Sequence, residues 1–239
     1  MIEGRLSVAV EQAGYKNFCE YVDAALSDKS GDMANFLIAK LTTNFTYFMR
    51  EEAHYRFMQE VALPEWTAKI KDKDLRTWSA GCSSGEEAYT TAITIMEYLG
   101  SANSSWDTTV LATDISPRVL AAAKAGIYPI GHLEGLPPHL HSKYFINVDS
   151  KNCRVGPELA KHVVFSTLNL MDTFKFKRKF HIIFCRNVMI YFDNSTKSRL
   201  AAKFYDVLEP GGYLFIGLSE TLSGISKQFT SVKPAIYTK

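Results

Sequence analysis

Ala80-Gly81-Cys82-Ser83-Ser84-Gly85-Glu86-Glu87 is a small-residue turn between an apolar run, Leu75 to Ala80, and an amphipathic run, Gly85 to Leu99. The first run reads as a buried strand and the second as a helix. Gly81 and Gly85 let the backbone bend sharply and present free N–H groups to a ligand at the helix start. Ser84-Gly85-Glu86-Glu87 also reads as a capping box, with Ser84 at the N-cap and Glu87 three residues on. Both readings of Glu87 stay open. Glu86 is surplus to a cap. An acidic loop disfavours a phosphate-rich dinucleotide and suits a ligand with an ammonium or sulfonium centre.

The same alternation continues outward. Thr108 to Thr113 reads as a strand, and Pro117 to Ala125 as a helix opening on proline. Val163 to Leu168, Phe180 to Cys185 and Tyr213 to Gly217 are apolar or aromatic runs of strand length. Ser195 to Leu208 is a helix ended by Pro210-Gly211-Gly212. Phe229 to Thr238 can add antiparallel edge strands. Strands alternating with helices predict a parallel sheet with right-handed crossovers. Residues 126–162 interrupt this rhythm with four prolines and short apolar pieces. So long a connection reads as an inserted β-subdomain, with short strands around 144–156. Ahead of the sheet, helical spacing recurs at Phe18, Tyr21, Val22 and Ala25, and at Met33, Phe36, Leu37 and Leu41 behind an Asp32 cap. Glu51 to Val61 is a third amphipathic candidate, ended by Pro64. The expected organisation is a helical domain over 6–62, a linker over 63–73, and an α/β domain over 74–239 carrying the insertion. Met1-Ile2-Glu3-Gly4-Arg5 reads as a protease recognition sequence and is set aside from the fold.

Polar residues collect at the predicted strand ends, where open parallel sheets bind ligands. Asp114 in Ala112-Thr113-Asp114-Ile115 can accept from both hydroxyls of a ribose. Its bland role is to cap the helix at Pro117, which Ser116 can do instead. Asn169 can bond an adenine edge or serve as a turn asparagine. Arg186-Asn187 interrupt Phe184-Cys185 and Val188-Met189-Ile190-Tyr191. A charge there faces a cleft or finds an acid partner. Thr43-Asn44-Phe45-Thr46-Tyr47-Phe48-Met49-Arg50-Glu51 is either a helix junction or a segment that reaches the cleft.

Composition narrows the class. A formal net charge of +2 argues against a bulk nucleic-acid binder. Cys19, Cys82, Cys153 and Cys185 are widely spaced, with no metal-binding pattern, and read as reduced core thiols of a cytosolic protein. No apolar run is long enough to span a membrane.

Taken together, Thr43 to Glu51, Ala80 to Glu87, Ala112-Thr113-Asp114-Ile115-Ser116 and Phe184 to Asp193 resemble the bacterial chemotaxis receptor methyltransferases (CheR). Pro210-Gly211-Gly212-Tyr213-Leu214-Phe215 and Ser219-Glu220 continue the likeness, which covers roughly residues 16–239. The resemblance implies a Rossmann-like class I S-adenosylmethionine-dependent methyltransferase with a small helical domain and an inserted β-subdomain. It implies S-adenosylmethionine as cofactor, S-adenosylhomocysteine as product, no metal, and glutamate side chains of cytoplasmic receptor helices as substrate. Asn44, Thr46 and Arg50 are then expected to close over the cofactor. Glu86 is expected at its methionine end, Asp114 at the ribose, and Asn169 and Leu170 beside the adenine. Cys185 and Arg186 are expected alongside, with Gly81 and Asn187 completing the cofactor set. Arg50 and Tyr191 are expected to face the transferred methyl group. Two positions depart from the family pattern: Ala88 where proline is common, and Leu218 where a histidine is.

A glutamate is already ionised near neutral pH, so its methylation needs alignment more than proton transfer. The competing readings are a non-catalytic cofactor-sensing or scaffold protein, and a nucleic-acid methyltransferase. The second lacks the Asp/Asn-Pro-Pro-Tyr/Phe run after its fourth strand. The loop between Tyr144-Phe145 and Arg154-Val155 is short and without glycine, unlike the longer glycine-rich loop of members that dock a receptor pentapeptide. The expectation is a pentapeptide-independent, cytoplasmic monomer with no nucleic-acid partner and no membrane insertion.

Overall fold

β1 (Thr77–Ala80) is the strand that leads into the glycine turn, and all four of its residues are buried. It lies between β2 (Val110–Asp114) and β7 (Phe180–Cys185), parallel to both. β2 pairs in parallel with β6 (Val163–Thr167), and β7 with β8 (Leu208–Ile216). The antiparallel strands β10 (Ile236–Thr238) and β9 (Thr230–Lys233) finish that edge. The order β6-β2-β1-β7-β8-β10-β9 reverses between β1 and β7. A crevice outside the carboxyl ends of β2, β1 and β7 is therefore the place for a ligand. These observations come from a computed structural model describing Val10, residues 13–28, Met33, Phe36 and residues 45–239. Met1 to Arg5, most of the expected helix over 33–41, and Asn44 lie outside the described residues.

Helix α1 (Phe18–Ser27) is capped by Asn17, whose side chain accepts from the Glu20 N–H. Helices α4 (Glu86–Leu99) and α5 (Pro117–Ala125) follow β1 and β2, and α8 (Asn194–Val207) connects β7 to β8. Alternation along β7 divides the core between two faces. Ile182 and Phe184 join Tyr55, Met58 and Phe215 on one face. Ile183 and Cys185 join Trp78, Leu200, Phe204 and Leu214 on the other. Phe184 stacks on Phe215 with ring centroids 4.5 Å apart and on Tyr55 at 5.7 Å. Burying side chains of this size contributes about 1.5–3 kcal/mol each, which fixes the segment around Tyr55 to the sheet.

The interruption over 126–162 contains a three-stranded antiparallel sheet, β3 (Ile127–Pro129), β5 (Asn152–Val155) and β4 (Phe145–Asn147), in the order β3-β5-β4. Between β3 and β4 runs α6 (Pro138–Tyr144), and after β5 the short α7 (Pro157–Ala160). Phe48 joins this sheet to the site. Its ring meets Tyr128 at 5.1 Å and Phe145 at 5.2 Å, both edge to face. At Gly135, a Cβ would sit 2.7 Å from the Phe48 carbonyl oxygen, so only glycine permits this approach.

Two expectations about chain breaks are corrected. Pro64 does not end a helix. After α2 (Glu52–Phe57) the chain makes a π turn, Met58–Ala62, and continues as α3 (Leu63–Lys69). The Leu63 N–H reaches back to Met58 O, and Pro64 occupies the first turn of α3. Its missing N–H is tolerated there. Residues 63–69 are thus helical. Pro210-Gly211-Gly212 does not end α8 either, but lies inside β8. The pairing register with β7 jumps from Phe180↔Leu208 to Ile182↔Tyr213. The three residues form a bulge, with Gly211 at φ +78°.

Candidate active site

The glycine turn is tied to β2 by its backbone. The Gly81 and Cys82 N–H groups both donate to Thr113 O, at 2.8 and 2.9 Å. Gly81 has φ +91°, and a Cβ there would lie 2.5 Å from Val188 Cγ2. Its absence lets the loop after β7 close against the loop after β1. Asp114, at the end of β2, accepts the Ser83 N–H on Oδ2 and the Ser116 N–H on Oδ1, both at 2.9 Å. Burial pushes its carboxyl up, against the opposing pull of these backbone donors. The helix at Pro117 has no side-chain cap from Asp114, which bonds the N–H of Ser116, the residue before it. Each Asp114 oxygen keeps a second lone pair for a hydroxyl. Ser116 Oγ is buried without a partner and makes no cap.

The paired acids diverge. Glu86 is 1% exposed. Ser84 Oγ donates to its Oε2 at 2.7 Å, and His132 Nδ1 lies 3.3 Å from Oε1. A buried carboxylate with a hydroxyl and an imidazole as neighbours suits a cationic ligand group. Glu87 turns the other way, so the capping-box reading is not borne out. The N-cap is Gly85, with φ +99° and no side-chain cap. Glu87 instead accepts from Ser79 Oγ at 2.7 Å and faces Arg186 Nη1 at 3.3 Å. Burial raises its carboxyl, with Arg186 pulling the other way.

Arg186 is only 5% exposed. Its Nε donates to Glu51 Oε2 at 3.2 Å and its Nη1 to Tyr55 Oη at 3.0 Å. Nη2 donates to the Arg50 carbonyl and lies 3.1 Å from Glu51 Oε2. Burial disfavours its charge, but Tyr55, Glu87 and Glu51 together hold it above the ordinary arginine range. Of the two guanidinium groups expected near the cofactor, this one is engaged with protein. Met49 and Glu51 both adopt left-handed backbone, φ +60° and +58°, on either side of Arg50. Such conformations in non-glycine residues cost of order 1–3 kcal/mol each and persist only where the surroundings enforce them. Arg50 itself is partly buried. Its Nη1 donates to Phe45 O at 2.7 Å, and its guanidinium lies 5.8 Å from the Phe45 ring. No carboxylate among the described residues forms an ion pair with it.

Beyond β7, Glu220 organises the polar loop. Its carboxylate accepts the N–H groups of Asn187 at 2.9 Å, Ile190 at 3.0 Å and Gly217 at 2.5 Å. Asn187 takes a left-handed turn at φ +58°. Tyr191, two residues past Met189, is 58% exposed. Cys185 is fully buried on the α8 face, and burial pushes its thiol far up. Any ligand contact from Cys185 therefore comes through its backbone. Asn169 Oδ1 accepts the Met171 N–H at 2.9 Å, a turn contact that leaves its amide nitrogen for a ligand. It lines a cavity of about 570 Å³ with Ile115, Thr167, Leu168 and Phe176. Leu170 is buried next to it, and Lys203 Nζ fixes its carbonyl. Thr46 is half-buried on the Phe45–Glu51 segment.

Gly81, Glu86, Asp114, Cys185, Arg186 and Asn187 thus gather at the switch point. Arg50 joins them through Arg186, while Asn169 and Leu170 sit at the β6 side. The set fits an adenosyl sulfonium ligand: an acid for the ammonium, an acid with spare lone pairs for the ribose, and, for the base, a cavity that combines Ile115, Leu168 and Phe176 with Asn169, Asp172 and Lys175. Tyr55 and His132 were not singled out from sequence, and Glu51 and Glu220 were quoted within motifs but given no role. Glu51 could have been given one, because an acid directly after Arg50 requires a separate partner. Among the described residues no group of His, Cys, Asp and Glu could hold a metal ion.

Residues 44–238 match the family model described as CheR methyltransferase, SAM binding domain. A chemotaxis protein methyltransferase of Borreliella burgdorferi is 44% identical, covering 100% of this chain and 86% of that protein. A probable chemotaxis protein methyltransferase of Rhizobium etli is 36% identical, over 95% and 86%. The chemotaxis protein methyltransferase of Escherichia coli is 35% identical, over 99% and 82%. A switch-point crevice lined by Glu86 and Asp114, a matching family model and relatives of this likeness lead to one conclusion: the chain belongs to the CheR methyltransferase family and carries its S-adenosylmethionine-binding domain.

Proposed function

We propose that this chain methylates glutamate side chains of chemotaxis receptors, using Arg50 to receive the substrate carboxylate. One observation carries the assignment. Arg186 is held by two carboxylates and a carbonyl, whereas among the described residues Arg50 meets a backbone carbonyl and a ring. A cation with no anionic partner among the described residues suits an incoming anion.

S-adenosylmethionine, when bound, supplies an electrophilic methyl on a sulfonium centre and becomes S-adenosylhomocysteine. Glu86 holds the methionine end and Asp114 the ribose, with Gly81 and Asn187 shaping the backbone and Asn169 and Leu170 flanking the base. Asn44 and Thr46 belong to the segment that closes over them. Arg50 orients the glutamate so that one oxygen faces the methyl, and Tyr191 borders the approach. Alignment of this kind supplies roughly 7–11 kcal/mol of barrier reduction in favourable cases. The residues exclude water and position the acceptor, and no proton needs to move. Incubation with radiolabelled cofactor and membranes of the host should place base-labile label in receptor-sized bands. Arg50→Ala should lose that label while remaining as stable as the wild type. Equal labelling by wild type and Arg50→Ala would overturn the role, and no label from wild type would overturn the activity.

The same reading divides the chain into a helical unit, 6–62, and a catalytic domain with its insertion, and takes the protein to be a cytoplasmic monomer. No helix among the described residues is long and apolar enough to cross a membrane. It also takes the receptor to be met directly, without a tethering pentapeptide. The turn between β4 and β5 is closed by Asp149, which accepts the Lys151 and Asn152 N–H groups at 2.7 and 2.8 Å. Titration with the pentapeptide should show no saturable micromolar binding.

A further inference from the structure

We infer that Arg186 is a positioning residue that keeps Arg50 available by sequestering the carboxylate of Glu51. The inference rests on the substrate-binding role given to Arg50 above, and adds what maintains it. Glu51 directly follows Arg50 and is the closest acid to it in the chain. Left to itself, it is the natural partner for that guanidinium. The structure directs it elsewhere. Glu51 takes the left-handed backbone conformation, φ +58°, an uncommon choice for a side chain of this size. Its carboxylate then lies 3.1 Å from Arg186 Nη2 and 3.2 Å from Nε, and its other oxygen accepts the Leu218 N–H at 3.3 Å. His54 Nδ1 is 3.5 Å away.

Arg186 is built to hold that position. Its side chain is 2% exposed, and the Glu51 and Glu87 side chains are 13% and 11% exposed. Tyr55 Oη and the Arg50 carbonyl take two further donor directions. The bond to the Arg50 carbonyl fixes the backbone of the residue it protects. The fork geometry of a guanidinium is needed to reach Glu51, Glu87, Tyr55 and a carbonyl together, and a lysine ammonium has no such fork.

Modification of Arg50 by phenylglyoxal, followed by peptide mass spectrometry, reads the state of its guanidinium without substrate or cofactor. A paired arginine reacts more slowly than an unpaired one. Wild type should react readily, and Glu51→Gln should react at the same rate, because Glu51 is already held away. Arg186→Lys should slow the reaction several-fold as Glu51 swings to Arg50, and Arg186→Lys with Glu51→Gln should restore it. In parallel, the Arg186→Lys variant should raise the KM for receptor, and the double variant should recover it. A several-fold faster reaction in Glu51→Gln alone overturns the inference, and needs no folded Arg186 variant. An unchanged rate in Arg186→Lys, or a double variant as slow as the single, also overturns it. Failure of wild type to methylate receptor would refute the assigned activity but leave the labelling result to judge the inference by itself.

Discussion

Asp114 satisfies two backbone donors from separate turns, Ser83 and Ser116. Its removal therefore frees both loops. Asp114→Ala should weaken S-adenosylhomocysteine binding by about 1–3 kcal/mol, the usual cost of leaving polar groups unpaired in a buried place. Calorimetry on the folded variant checks this, and an unchanged affinity would remove Asp114 from the ligand set. Thiol chemistry offers a second test at this scale. Cys19 is exposed, while Cys82, Cys153 and Cys185 are buried with thiols raised by burial. Thiolate, not thiol, reacts. Ellman's reagent should titrate a single thiol in the native protein and all four only in denaturant. Rapid native reaction at Cys185 would mean that the β7 end opens.

At the scale of elements, the glycine turn after β1 depends on a residue without a side chain. Gly81→Ala would bring a Cβ within 2.5 Å of Val188 Cγ2 at a φ of +91°. The loop after β7 must then retreat, and cofactor affinity should fall together with thermal stability. A variant with wild-type affinity and melting temperature would show that the two loops are not tightly apposed. The strands were legible because runs such as β7 are short and mostly apolar, and Phe180 to Cys185 was read to the residue. The turn was legible because small residues followed a strand. The continuation through Pro64 was not, because proline normally stops a helix, and only the π turn before it accommodates the ring. Pro210-Gly211-Gly212 misled for the same reason: a breaker signal marks a bulge as well as a terminus. The Arg186 cluster was beyond reach. Its partners Glu51 and Glu87 lie 135 and 99 residues away, and spacing in one sequence carries no trace of such contacts.

The whole molecule should lose stability in mild acid, because two buried histidines brace its sheet. His54 on α2 meets Phe215 of β8 edge to face, and His181 in β7 accepts the Arg76 N–H on Nδ1 at 3.0 Å. Burial, followed by Arg186, lowers His54 to about 4, with Glu51 opposing. Burial, followed by Arg76 and Arg178, lowers His181 to about 3, with Asp72 opposing. Unfolded, both would titrate near 6.5. As pH falls below that value the unfolded chain binds protons that the folded one refuses, so stability declines toward pH 4. Each histidine contributes at most about 1.4 kcal/mol per pH unit over that window. Glu87, Asp114 and Glu220 act in the opposite sense, since burial raises their folded carboxyls and favours proton uptake by the native state. Their effect lies nearer the carboxylate range, so the histidines govern the first step into acid. Urea midpoints should be level between pH 8 and 7 and then fall between about pH 6.5 and 5.5. His54→Phe should fill the same apolar contact and make the decline shallower. A midpoint that stays flat or rises across that interval would mean that neither histidine is held neutral in the folded protein.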